Sequence, residues 1–266
     1  MSVQTLYTAA TGMQSMQTKL DVIANNLANV NTTGFKKDRA NFEDLFYDHR
    51  VMPGNADSTG NLTPTGTHVG LGVRVSSVQT DFQQGSFTTT DRQMDLLIEG
   101  EGFFQLLDPS GEIVYTRAGN FSVNANGEMV QGSAGIGRPL EPAIVIPQDA
   151  TAVEISPDGI VAVQQPGTNT LNEVGQIQLA TFINPEGLLK LGENLYAETA
   201  ASSAPITGNP QTDGLGAVRK GMLEASNVEP VQELIDLITT QRSFELNSQT
   251  IQAGDQILQL ISNLRR

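Results

Sequence analysis

The sequence predicts an α+β protein: N- and C-terminal helices forming a coiled-coil domain, with a central all-β domain of short antiparallel strands between them. Three observations carry this. Leu6, Met13, Leu20 and Leu27 recur every seven residues, and Ala9, Met16, Ile23 and Val30 repeat the spacing three residues later. Leu237, Phe244, Ile251 and Leu258 keep the same interval near the C-terminus. Between these ends, short apolar runs are separated by glycine-containing turn signals. A sustained heptad is the a/d seam of a coiled coil, whereas short runs closed by Gly-containing turns are the pattern of antiparallel hairpins.

The first helix is predicted over residues 1–31, with a stop near Thr32-Thr33-Gly34, where Gly34 suits a left-handed C-cap. Within it only Lys19 and Asp21 are charged. A helix facing water normally carries charge on its outer face. Here Gln, Ser, Thr and Asn occupy that face, which suits contact with protein on several sides. Asn25, Asn26 and Asn29 fall off the seam, at heptad positions f, g and c. Their amides both donate and accept. They read either as bonds to neighbouring subunits or as a solvated polar face before the helix stop.

A polar stretch, 36–70, follows as an extended connector. Its part from Phe46 to Gly70 reads as a surface loop or as a wedge between subunits. Residues 71–225 form the central β-domain. Asp108-Pro109-Ser110-Gly111, Asn124-Ala125-Asn126-Gly127, Pro157-Asp158-Gly159 and Asn184-Pro185-Glu186-Gly187 mark its turns. The last helix is predicted over 228–264, with Pro230 near its start, where proline is tolerated. Val231, Leu234, Ile235 and Ile238 add a broad apolar patch to its first turns; Ile257, Leu260, Ile261 and Leu264 do the same at its end. The helical polymerisation domain is thus 1–35 together with 226–266.

Magnitudes bear on how these helices are used. Burying a seam side chain yields ~1.5–3 kcal/mol. Ordering a residue's backbone costs roughly 1–2 kcal/mol. A lone helix or helix pair is therefore marginal, and partners from other subunits are expected. From pattern alone, pairing only within one chain remains the alternative.

Composition sets outer limits. The 266 residues are 38% apolar and 5% aromatic with no Trp, which predicts many turns and no single large aromatic core. The absence of Cys rules out disulfides and thiolate metal sites. A net charge of −14 argues against nucleic acid and against docking on an anionic membrane. No run approaches the roughly 20 apolar residues of a membrane helix, so no direct membrane insertion is expected. The N-terminus has neither a basic segment nor an apolar core of the Sec type. His49 and His68 are the only histidines, and no H-E-x-x-H, P-loop or G-x-S-x-G motif occurs. Catalytic, cofactor and metal residues are therefore expected to be none. Abundant carboxylates leave an Asp/Glu pair for glycoside hydrolysis open, which makes a peptidoglycan hydrolase the enzymatic alternative.

The run Asp21-Val22-Ile23-Ala24-Asn25-Asn26-Leu27-Ala28-Asn29-Val30-Asn31-Thr32-Thr33-Gly34-Phe35-Lys36 closely resembles the N-terminal signature of the bacterial flagellar rod and hook family. Ser226-Asn227-Val228, Glu233-Leu234, Ile238, Gln241-Arg242, Phe244-Glu245 and Asn247 resemble its C-terminal helix. Gly100-Glu101-Gly102-Phe103-Phe104-Gln105, Tyr115-Thr116-Arg117-Ala118-Gly119-Asn120-Phe121 and Gly192-Glu193-Asn194-Leu195-Tyr196 are similar to its β-domain. The resemblance implies a structural subunit of a helical homopolymer, a hollow shaft with coiled-coil inner layers. Within the family, chain length and the Phe46–Gly70 stretch point to the distal rod, with a proximal rod or hook-type subunit as the alternative. The implied partners are other copies of itself, the proximal rod protein, the hook protein, the outer-membrane and peptidoglycan ring proteins, and the flagellar type III export apparatus. That export route needs no cleaved signal peptide. The packing residues implied are Leu6, Met13, Met16, Leu20, Ile23, Asn25, Asn26, Leu27, Asn29, Val30, Leu237, Phe244, Ile251 and Leu258.

Overall fold

Helix α1 spans Val3–Ala28 and helix α2 spans Pro230–Leu264 in the computed structural model, which describes residues 3–54, 64–132, 137–167 and 170–264. Expectations for residues 55–63, within the Phe46–Gly70 stretch, and for the last residues at either end lie outside these. So do those for the side chains of Ile261 and Leu264. Among the described residues, all other regular structure is short strands and one 3₁₀ turn, so the chain is α+β as its pattern predicts.

Contacts divide the chain into two units. The first comprises residues 1–28, 38–80 and 229–266. Among the described residues it holds both helices and four strands: β1 (Asp38–Asp44), β2 (Tyr47–Val51), β3 (Thr67–Gly70) and β4 (Val73–Thr80). β1 pairs antiparallel with β4, from Asp38 opposite Thr80 to Asp44 opposite Val73, and β2 pairs antiparallel with β3. Residues 71–80, expected in the central β-domain, therefore sit in the helix-bearing unit.

The second unit comprises residues 29–37 and 81–228. Its largest sheet has six strands, in the order Leu189–Gly192, Leu195–Ala197, Ile113–Thr116, Phe103–Leu107, Leu179–Thr181, Ile206–Gly208. Strand alternation splits its side chains between two cores. Phe104, Leu106, Val114, Leu179 and Leu195 join the larger, mostly aliphatic one. Phe103, Tyr115, Ala180 and Tyr196 point the other way and meet Phe82, Phe182 and Leu188. Five aromatics meet in this second core: Tyr115 and Phe182 are edge-on at 4.8 Å, Phe82 and Phe103 at 5.5 Å.

Three of the four turn signals close hairpins. Leu107 faces Ile113 across Asp108–Gly111, Val123 faces Met129 across Asn124–Gly127, and Ile155 faces Val161 across Pro157–Gly159. The fourth, at Asn184–Gly187, corrects the expectation. Its 3₁₀ turn, Pro185–Gly187, leads from strand Leu179–Thr181 to strand Leu189–Gly192, and three other strands lie between these two in the sheet. Phe182 and Leu188 flank the turn and are buried in the aromatic cluster. They hold this connection over the sheet face and prevent a local ladder.

The first helix is also shorter than its heptad. It ends at Ala28, so Asn29 and Val30 lie in the turn beyond it and belong to the second unit. Gly34 has φ +70°, as a left-handed position requires, but it does not cap the helix. A Cβ there would lie 2.8 Å from the Ala118 backbone N, and the Gly34 N–H donates to the Glu224 carbonyl at 2.8 Å. Docking of 29–37 on this unit removes Asn29, Val30 and Asn31 from the expected helix.

Candidate assembly surface

The two helices run antiparallel within the first unit, and three approaches set their register. A Cβ on Gly254 would meet the Leu6 side chain, one on Gly12 would lie 3.0 Å from Asn247 Nδ2, and Asn26 Nδ2 reaches Glu233 Oε2 at 3.4 Å. A mid-helix glycine costs roughly 1 kcal/mol against alanine; at Gly12 a Cβ would be tight against Asn247.

The buried line on α1 is Ala9, Gly12, Ser15, Ile23 and Asn26. It contains small and polar residues and only partly follows the predicted seam. Ala9 and Ile23 are buried, whereas Leu6, Met13, Met16, Leu20 and Leu27 are half-buried. On α2, Thr240 and Gly254 are buried, Leu237, Phe244 and Ile251 are half-buried, and Leu258 is exposed. Asn25 is exposed, while Asn29 and Val30 are half-buried beyond the helix.

Asn26 is occupied inside the chain. Its Oδ1 accepts the Asp38 N–H at 2.9 Å and its Nδ2 donates to the Asp38 carbonyl at 2.9 Å. This two-point bond sets the start of β1 against the helix. The Thr11 hydroxyl does the same for β4, accepting the Val73 N–H at 3.4 Å.

The first turns of α2 present an exposed apolar stripe. Val231, Leu234, Ile235 and Ile238 retain 71%, 45%, 49% and 56% of their exposure. Their i, i+3, i+4, i+7 spacing places them on one stripe. Leu246 and Leu260 on α2 and Tyr7 on α1 are exposed as well. Soluble chains seldom present such a continuous apolar stripe without a partner for it.

In the second unit, both segments that lead into the helices end on one buried ion cluster. Lys36 Nζ lies 2.5 Å from Glu224 Oε1, and Arg117 Nε lies 3.3 Å from Glu224 Oε2. Lys36 also donates to the Gln83 carbonyl at 2.7 Å, and Arg117 to the carbonyls of Gly102 (2.6 Å) and Gly100 (2.9 Å). The Gly85 N–H donates to Glu224 Oε1 at 3.0 Å. Burial pulls the Lys36 ammonium and the Arg117 guanidinium below their usual ranges, and the Glu224 carboxylate opposes it in both. Lys36 and Arg117 stand within the family-like motifs, but their shared partner was not legible. No local pattern couples position 36 to position 224.

Residues 6–36 match the family model described as flagella basal body rod protein. Residues 97–163 match that of the flagellar hook protein FlgE/F/G D1 domain, and residues 219–264 that of the flagellar basal body rod FlgEFG protein C-terminal region. The flagellar basal-body rod protein FlgG of Caulobacter vibrioides is 47% identical over 99% of this chain and 100% of its own length. That of Borreliella burgdorferi is 42% identical over 99% of both. That of Bacillus subtilis is 38% identical over 99% of this chain and 100% of its own.

Proposed function

The chain belongs to the flagellar basal-body rod protein family, and from that membership we propose that it is a structural subunit of the distal rod, not an enzyme, which polymerises into a rigid hollow shaft passing torque to the hook. The polymerising parts are the two helices. Their half-buried seam residues and the α2 stripe pack against neighbouring copies in coiled-coil layers. The shaft lies in the basal body, joins proximal rod protein at one end and hook protein at the other, and turns within the peptidoglycan and outer-membrane rings. Subunits reach it through the flagellar type III apparatus.

The observation that carries this reading is the exposed stripe Val231, Leu234, Ile235, Ile238 on a helix of low charge. Burying two such side chains is worth about 3–6 kcal/mol. The double substitution Leu234→Ser/Ile238→Ser should therefore raise the critical concentration for assembly by roughly a hundredfold or more. Electron microscopy of concentrated protein should show rods or tubes for the parent chain and none for the variant, with unchanged circular dichroism of the monomer. A variant that polymerises at the parent's concentration removes the stripe from the interface, and a parent chain that never polymerises removes the proposal.

A further inference from the structure

The chain has two histidines, and the fold sets them face to face. His49 on β2 lies directly opposite His68 on β3. Facing residues of an antiparallel pair project to the same side of the ladder. The two ring centroids are 5.8 Å apart with an interplanar angle of 59°, and both residues are exposed. The Tyr47 ring, two residues from His49, meets His68 edge-on at 6.0 Å. The register shifts between His49 and Val51, which makes Arg50 an extra residue on β2. A bulge beside the pair resists slippage of the ladder and keeps the rings opposite each other.

We propose that His49 and His68 form a two-histidine chelate for a divalent first-row transition ion of the Cu²⁺, Ni²⁺ or Zn²⁺ class. Imidazole nitrogen suits these ions. With metal–nitrogen bonds of about 2.0–2.1 Å, two rings on one tetrahedral ion have centroids roughly 5 Å apart. Rotation of two exposed side chains closes the difference. Among the described residues no third histidine or carboxylate completes a ligand group, so water fills the remaining positions. The ion bridges β2 and β3, and Cu²⁺ binds more tightly than Ni²⁺ or Zn²⁺ by the general order of first-row stabilities.

The test uses the tag-free full chain, freed of metal and kept dilute enough to remain monomeric. Zn²⁺ is titrated while the imidazole NMR signals are followed, and Cu²⁺ and Ni²⁺ binding is measured by calorimetry. One ion per chain is expected, with both histidine signals moving together. His49→Gln and His68→Gln should each weaken binding at least about tenfold, since either one destroys the chelate. The double variant should add little more. Signals that move at separate ion concentrations overturn the proposal, as do single variants that bind like the parent chain. Circular dichroism of each variant guards against a folding defect, which these exposed positions should not cause.

Discussion

Glu224 lies between the buried side chains of Lys36 and Arg117. Its carboxylate neutralises part of the charge of Lys36 and Arg117, and all three are buried. A buried ion pair adds little over well-packed apolar groups, but removing one partner leaves an uncompensated charge that costs about 3–5 kcal/mol. Glu224→Gln keeps the shape and removes the carboxylate that contacts both buried cations. It should lower stability in urea by that amount, in the transition that reports the second unit. A change within about 0.5 kcal/mol would show that water or rearrangement compensates, and that the cluster is not what anchors the segments flanking the helices. Neither the pairing nor its burial was legible, because a lysine in a signature motif reads as a surface charge until the fold encloses it.

At the scale of elements, the helices follow their periodicity but not their seam. The heptad correctly identifies which segments are helical, since apolar residues at that spacing must share a face. It does not say which part of that face the chain itself covers. The small side chains Ala9, Gly12 and Ser15 permit close approach, so the intrachain contact uses them and leaves the larger Leu and Met half-covered. Asn26 joins helix to strand by its bonds to both backbone groups of Asp38. Asn26→Ala should destabilise the first unit by roughly 1–3 kcal/mol, the cost of leaving these groups unpaired. Amide exchange at Asp38–Asn41 should quicken with it. Unchanged exchange would mean that β1 is held by β4 alone.

For the whole molecule, net charge and assembly oppose each other. Each subunit carries −14, so copies repel until contact energy exceeds the repulsion. Raising salt from about 0.05 to 0.5 M shortens the screening length to well under 10 Å. Polymerisation of the full chain, followed by light scattering, should begin at a lower concentration as salt increases. A critical concentration that rises with salt would instead mean that ion pairs, not apolar faces, hold the subunits together. The sequence by itself determined the α+β class, the two helical ends, three of the hairpins and the family, because periodicity, turn chemistry and motifs are local properties of the chain. Only the tertiary structure decided that the helix stops at Ala28 and residues 29–37 join the β-rich unit, that β4 joins the helices, and that Lys36 meets Glu224 across 188 residues. Those outcomes depend on which surfaces exclude water together, and no short window of sequence contains both partners.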